Sequence, residues 1–310
     1  MSLQRNCQMK LGKISTALFV FSIQVALCFS TAFAMEVIET SNINGVLRFA
    51  PDGTILAGWG GVVGIDGLAV DGSGNTYVST GNTVLKILND WSDWSTFASG
   101  LDDPDGLAFD SGGNLYAINN TATGFNTIDK IDTNGDVSTL WSIGPGTSVY
   151  YPLAIDGAGN LYTANFIHNG ANSILKIDPN GNESIFLNSS LSLGLNRPIG
   201  MACDGSGNIY VSYEEGGIEK FTTNGVGSAF APGVQNPGAM TFDSSGDLFV
   251  TSGSSVDEVD TDGNVTVLFQ TGFEDAFTGI AVLNVPEPSS LALAGIAALA
   301  FSAVLGRSRK

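Results

Sequence analysis

Five copies of one short motif constrain this chain more than anything else in it. They are Asp71-Gly-Ser-Gly-Asn75, Asp110-Ser-Gly-Gly-Asn114, Asp156-Gly-Ala-Gly-Asn160, Asp204-Gly-Ser-Gly-Asn208 and Asp243-Ser-Ser-Gly-Asp247. Their aspartates stand 39, 46, 48 and 39 residues apart. Glycine reaches positive φ without a Cβ penalty and aspartate bonds nearby backbone amides, which is the chemistry of a tight turn. A short apolar run precedes each copy and an alternating one follows, as in Leu68-Ala-Val70 and Thr76-Tyr-Val78. Such alternation buries one side of a strand. Each copy therefore predicts a β-hairpin.

A second hairpin follows in each repeat. Ile128–Ile131 and Val137–Leu140 flank Asn134-Gly135, Ile174–Ile177 and Glu183–Phe186 flank Asn180-Gly181, and Val256–Val259 and Val265–Phe269 flank Asp262-Gly263. Two hairpins per repeat make a four-stranded sheet at the period of propeller blades. Gly279–Leu283 begins a sixth sheet that its own segment does not finish. The missing strands lie at the other end, where Val37-Ile38-Glu39 precedes Val46–Phe49, Asp52-Gly53 and Thr54–Leu56. The expected fold is all-β: a six-bladed β-propeller over residues 35–284, its sixth blade closed by N- and C-terminal strands. Such closure leaves the ring no open edge, and an open solenoid would not explain complementary end fragments.

Both ends read as addresses rather than fold. Arg5, Lys10 and Lys13 lead into the apolar stretch Ile14–Phe29 and then Ala32-Phe33-Ala34, so residues 1–34 form an expected secretory signal peptide. At the other end, Pro286-Glu287-Pro288 precedes apolar Leu291–Leu305 and the cations Arg307, Arg309 and Lys310. The order of these three features in residues 285–310 resembles a PEP-CTERM sorting signal. That resemblance implies an exosortase-type partner in a Gram-negative bacterium and transient anchoring by a transmembrane helix in the inner membrane. It further implies removal of the tail, and delivery to the periplasm, cell surface or extracellular matrix of a cell that makes exopolysaccharide.

Charge excludes one class of partner. The whole chain carries −18, but the ends are basic, and residues 35–285 hold 29 acids against six bases, a net of −23. Such a surface repels nucleic acid. Cys203 is the one cysteine beyond the expected leader, so no disulfide forms within the mature chain.

The repeats also resemble NHL-type propellers and, more loosely, the gluconolactonase and senescence-marker family. The residues that carry the likeness are Pro104-Asp-Gly-Leu-Ala-Phe-Asp110 with Gly113-Asn-Leu-Tyr116, and Arg197-Pro-Ile-Gly200 leading to Asp204. Motifs of this kind specify a fold and leave function open.

All the Asp-Gly turns fall on one face of such a ring, and the variable second-to-third loops on the other, where binding residues usually sit. Asp66, Asp105, Asn119, Asn120, Asn165, His168, Tyr213 and Glu214 are expected to line the channel mouth on that second face. The lactonase likeness implies a divalent cation, Ca²⁺ or Mg²⁺, held by Asp66, Asp105, Asn120 and Asn165 from separate blades. The equivalent openings Pro152-Leu153, Pro198-Ile199 and Pro237-Gly238 offer no ligand, and no match is found for that family's first glutamate. His168 is the one histidine, without a nucleophile elbow to serve, which leaves no Ser-His-Asp triad and no histidine-rich zinc site. Asp178–Asn182 and Asp260–Asn264 read as hairpin turns rather than calcium loops, because their glycines come too early for an EF-hand. Cys203 takes a core position, and Trp91 with Trp94 forms a candidate carbohydrate-stacking patch. The leading expectation is an exported, non-catalytic binding or scaffold protein for a polysaccharide, protein or small ligand. The alternative is a metal-dependent propeller lactonase or lyase.

Overall fold

The computed structural model describes residues 33–41, 45–60, 64–120, 126–143, 147–167, 173–188, 198–213, 216–271 and 279–286. They form six four-stranded antiparallel sheets. The first full blade holds β4 (Ile65–Val70), β5 (Thr76–Thr80), β6 (Thr83–Ile87) and β7 (Trp94–Ser99). The second holds β8 (Pro104–Phe109), β9 (Leu115–Asn120), β10 (Asn126–Ile131) and β11 (Val137–Ile143). The third holds β12 (Thr147–Ile155), β13 (Leu161–Ile167), β14 (Ser173–Ile177) and β15 (Glu183–Asn188). The fourth holds β16 (Pro198–Cys203), β17 (Ile209–Tyr213), β18 (Ile218–Phe221) and β19 (Gly227–Ala229). The fifth holds β20 (Pro237–Phe242), β21 (Leu248–Ser252), β22 (Ser255–Val259) and β23 (Val265–Gln270).

The closing blade is built from both ends, in the order β24 (Gly279–Pro286), β1 (Phe33–Ser41), β2 (Gly45–Phe49) and β3 (Ile55–Trp59). Eight residue pairs join β1 to β24, from Thr40 opposite Gly279 to Phe33 opposite Pro286. The chain is a six-bladed β-propeller closed by its terminal strands.

The repeated motif does three jobs at once. Asp71 Oδ1 accepts the amides of Ser73 and Asn75, both at 2.9 Å, which fixes the turn. Its Oδ2 accepts Asn75 Nδ2 at 2.8 Å and the Tyr77 hydroxyl at 3.1 Å, which ties the turn to the second strand. Asp110, Asp156 and Asp204 repeat the set with Tyr116, Tyr162 and Tyr210. A lysine from the third strand then lies over each tyrosine ring, 5.3, 5.8, 5.5 and 5.0 Å from its centre for Lys86, Lys130, Lys176 and Lys220. The tyrosine ring in turn wedges edge-on between Phe97 of its own blade and Phe109 of the next, both at 4.9 Å for Tyr77. Turn, register and blade packing therefore come from one sequence unit.

The hydrophobic cores lie between blades, not within them. Six clusters of buried residues each draw on two neighbouring blades. The last joins Phe249 and Phe269 of the fifth blade to Val37, Phe49 and Ile280 of the closing one, with Phe49 stacked on Phe269 at 5.2 Å. Inner strands approach so closely that a Cβ on Gly67 would strike the Asp105 carbonyl, and one on Gly200 the Gly238 carbonyl. Ser79 and Ser212 bridge the same two joints. Each accepts the glycine amide of its own blade, at 2.7 and 2.8 Å, and donates to the carbonyl of the next, at 3.2 and 2.9 Å.

Candidate functional site

Six side chains, one per blade, narrow the central channel to a waist: Leu68, Leu107, Leu153, Met201, Met240 and Ile280. They divide it into two cavities. The larger, about 560 Å³, opens among the Asp-Gly turns and is lined by Asp71, Phe109, Cys203 and Phe242 among others. The smaller, about 90 Å³, opens at the mouth and is lined by Asp66, Gly106, Pro152, Ile199, Ala239 and Gly279.

Side chains at the mouth are set by a β-bulge in five inner strands. The register slips between Ile65 and Leu68, Pro104 and Leu107, Tyr150 and Leu153, Pro198 and Gly200, and Pro237 and Met240. A bulge re-aims the residues it contains. Those residues are Asp66-Gly67, Asp105-Gly106, Tyr151-Pro152, Ile199 and Gly238-Ala239. This register corrects one sequence alignment. Leu153 pairs with Thr163 as Leu107 pairs with Ala117, so Pro152 matches Gly106 rather than Pro104, and Tyr151 holds the Asp105 position in the third blade.

Asp105 is the centre of the polar part of the mouth. It is 4% exposed, and Asn120 Nδ2 donates to its Oδ2. Burial pushes its carboxyl up to about 7; the Asn120 bond opposes this, and the charges of Asp66 and Asp103 add to it. Asp66 is also raised, first by burial and then by Asp103. Asp103 was not among the expected residues, although the acid run Asp102-Asp103-Pro104-Asp105 signals it. Its backbone sits at φ 54°, and its carbonyl accepts the Asn120 amide at 3.3 Å.

The other expected residues fare differently. Asn119 lies beside this group, but its Oδ1 is taken by the Asp102 amide at 2.6 Å, so it pins the link between blades. Asn165 is buried on β13, its Oδ1 without a hydrogen-bond partner among the described residues, and it is not among the groups that act on Asp105. Tyr213 does not face the mouth. It packs in the core between the third and fourth blades and donates its hydroxyl to Glu219 Oε2 at 3.0 Å. His168 and Glu214 lie outside the described residues. The structure therefore gathers Asp66, Asp105 and Asn120, and adds Asp103.

Elsewhere the carboxylates serve the fold. In Asp71, Asp110, Asp156 and Asp204 burial raises the carboxyl, but the bonds from asparagine and backbone, joined by tyrosine in the first three and by the Lys220 charge in Asp204, outweigh it and leave each below its ordinary value. Asp178 and Asp260 spend Oδ1 on two amides each and Oδ2 on Asn182 and Asn264. Cys203 stands at the channel wall where other blades have Phe109 and Phe242; burial, then Asp156 and Asp204, hold its thiol protonated. The tryptophan patch changes membership. Trp91 is half-buried against the core beside the closing blade, whereas exposed Trp94 meets Trp59 edge-on at 6.3 Å.

Comparison with known proteins fits both the fold and the tail. A family model described as the PEP-CTERM protein-sorting motif matches residues 284–310. No curated protein sequence matches the chain. Among solved structures, the nidogen/laminin complex contains a chain 18% identical, with TM-score 0.65, covering 81% of this chain and 99% of that one. Virginiamycin B lyase from Staphylococcus aureus is 16% identical, TM-score 0.52, covering 76% and 73%. A gluconolactonase from Xanthomonas campestris is 19% identical, TM-score 0.56, covering 68% and 77%. At such identities the likeness is one of fold alone. The expected kinship with gluconolactonase-like propellers holds at that level, and the sorting motif marks an exported protein of Gram-negative-type secretion. Among the described residues no helix is long and apolar enough to cross a membrane, and the apolar stretch of the tail lies outside them.

Proposed function

We propose that this exported propeller is a non-catalytic binding or scaffold protein of the cell surface or exopolysaccharide matrix, with the mouth face as its contact surface. Sorting by an exosortase-type enzyme and transient inner-membrane anchoring belong to the same reading. The size of the mouth cavity carries it. Pockets that engulf small substrates run to roughly 300–1,000 Å³; the 560 Å³ cavity among the turns is of that size, whereas at the mouth the described residues enclose about 90 Å³ above an apolar waist. A ligand there rests across the face instead of entering it, which suits a chain of sugars or a protein surface. Exposed Ile199 offers apolar contact in the cavity that Asp66 also lines.

A metal-dependent lactonase or lyase is the second reading, favoured by Asp105. A buried carboxyl poised near 7 is of the kind that transfers protons. The donors do not complete a cation site, however. Ca²⁺ takes about six to eight oxygens, and the positions matching Asp105 in the fourth and fifth blades are Ile199 and Gly238. Asn120 turns an N–H, not an oxygen, toward Asp105. No step is therefore routed through a metal.

Two measurements on the chelated protein decide between the readings. One is co-sedimentation with the extracellular polysaccharide of the producing cell, for the wild type and for Ile199→Asp. The other is calorimetric titration with Ca²⁺ and Mg²⁺, with lactone turnover, for the wild type and Asp105→Ala. The binding reading expects polysaccharide binding that Ile199→Asp weakens, and no turnover. One-site metal binding lost in Asp105→Ala, together with lactone hydrolysis, overturns it.

A further inference from the structure

The closing strand settles where the sorting tail leaves the propeller. β24 starts at the mouth, where Gly279 and Ile280 share the small cavity with Asp66 and Gly67. It ends among the turns, where Val282 and Leu283 share the large cavity with Asp71 and Gly74. Asn284 continues the strand, still paired with Met35 of β1, whereas the next two pairs use Ala34 and Phe33, which leave with the expected signal peptide. A strand advances about 3.3 Å per residue, so Asn284 stands at the outer level of the turns. The apolar stretch starts at Leu291, seven Cα steps on, a reach of about 24 Å at full extension.

We infer that, while the tail is held in the membrane, the propeller stands with its turn face toward the bilayer and its mouth face away from it. The inference rests on the anchoring reading of the tail and adds to it an orientation. The reach of six intervening residues is too short to run from the centre of the turn face around the ring and bring the mouth to the lipid. The partner surface of the turn face is then the bilayer itself, and the mouth is the face left open to a large ligand. The turn face is rich in ionised carboxylates, yet charges separated by more than about 8 Å are largely screened at physiological ionic strength. The short tether therefore holds the acidic turns near the headgroups without forbidding the arrangement.

Single-cysteine reporters test this in membranes from a host without the sorting enzyme. The background is the full chain with Cys7→Ala, Cys28→Ala and Cys203→Ala, and Ser73→Cys or Ser206→Cys marks the turn face while Asn82→Cys or Gln235→Cys marks the mouth; all four sites are exposed. Each is labelled with a long polyethylene-glycol maleimide, before and after detergent release. Membrane-bound protein should label at the mouth as fast as released protein, and at the turns an order of magnitude more slowly. Equal labelling of both faces in protein that still sediments with membranes overturns the orientation but leaves the anchoring intact. So does protection of the mouth instead of the turns. Protein found only in the soluble fraction overturns the anchoring, and the orientation with it.

Discussion

Replacing Asp105 with asparagine should stabilise the protein, and only above acidic pH. The wild-type carboxyl is raised from 3.8 to about 7 because it is buried 4% exposed beside Asp66 and Asp103. Between those two values the folded state binds more protons than the unfolded state. Stability therefore falls as pH rises through that window, and the full penalty applies above about 7. At 1.36 kcal/mol per unit the shift is worth at most about 4 kcal/mol. Asparagine keeps the size of the side chain and an oxygen to accept from Asn120, but carries no charge to bury. Urea denaturation in the presence of a chelator should find the variant and the wild type alike near about pH 4, with the variant ahead by about 2–4 kcal/mol near about pH 8. A gap that stays flat between those two pH values refutes the argument, as does a variant that is less stable at the upper one. Ca²⁺ that closes the gap by stabilising only the wild type would instead move the balance toward the enzyme reading.

Asp110→Ala removes acceptors for two amides, Asn114 Nδ2 and the Tyr116 hydroxyl, and should cost about 1–3 kcal/mol at neutral pH by urea denaturation. Since that carboxyl is held below its ordinary value, the cost should shrink as pH falls through the folded pKa, the reverse of the Asp105 case. Gly67→Ala should lower the melting temperature, an overpacking cost of about 1–3 kcal/mol, because its Cβ meets the Asp105 carbonyl; Gly72→Ala, with open space around it, should not. Removal of residues 36–58 takes β1, β2 and β3 from the closing blade, so the trimmed protein should elute as aggregate in size-exclusion chromatography while the intact one elutes as a single species.

The ring was legible because its signal repeats. Each Asp-x-x-Gly-Asn-x-Tyr unit uses short-range bonds that do not depend on the rest of the fold, and even the split closing blade followed from counting strands. The mouth was less legible because bulges decide it. A shift of two residues separates Tyr151 from Leu153 as the match for Asp105, and no local propensity marks it. Tyr213 looked like a mouth residue because it ends β17, but its direction is set by Glu219 on the neighbouring strand and by the core shared with the preceding blade. Asp103 was hidden for a related reason: it acts from a link between blades, through φ 54° and a carbonyl bond to Asn120.

The pairing of β24 with β1 also makes the tail a mechanical handle. A pull on Pro286 runs along β24, while β1 is held at its far end by its connection to β2. Once residues 1–34 are removed, the load falls on six residue pairs in shear, Met35 to Thr40 of β1, so they must fail together and cannot unzip one by one. The innermost strand is further keyed by Ile280, Ala281 and Leu283, buried against both neighbouring blades. Under the anchoring proposed above, a load on the ring is thus passed to the tail through the strongest direction of the sheet rather than across it.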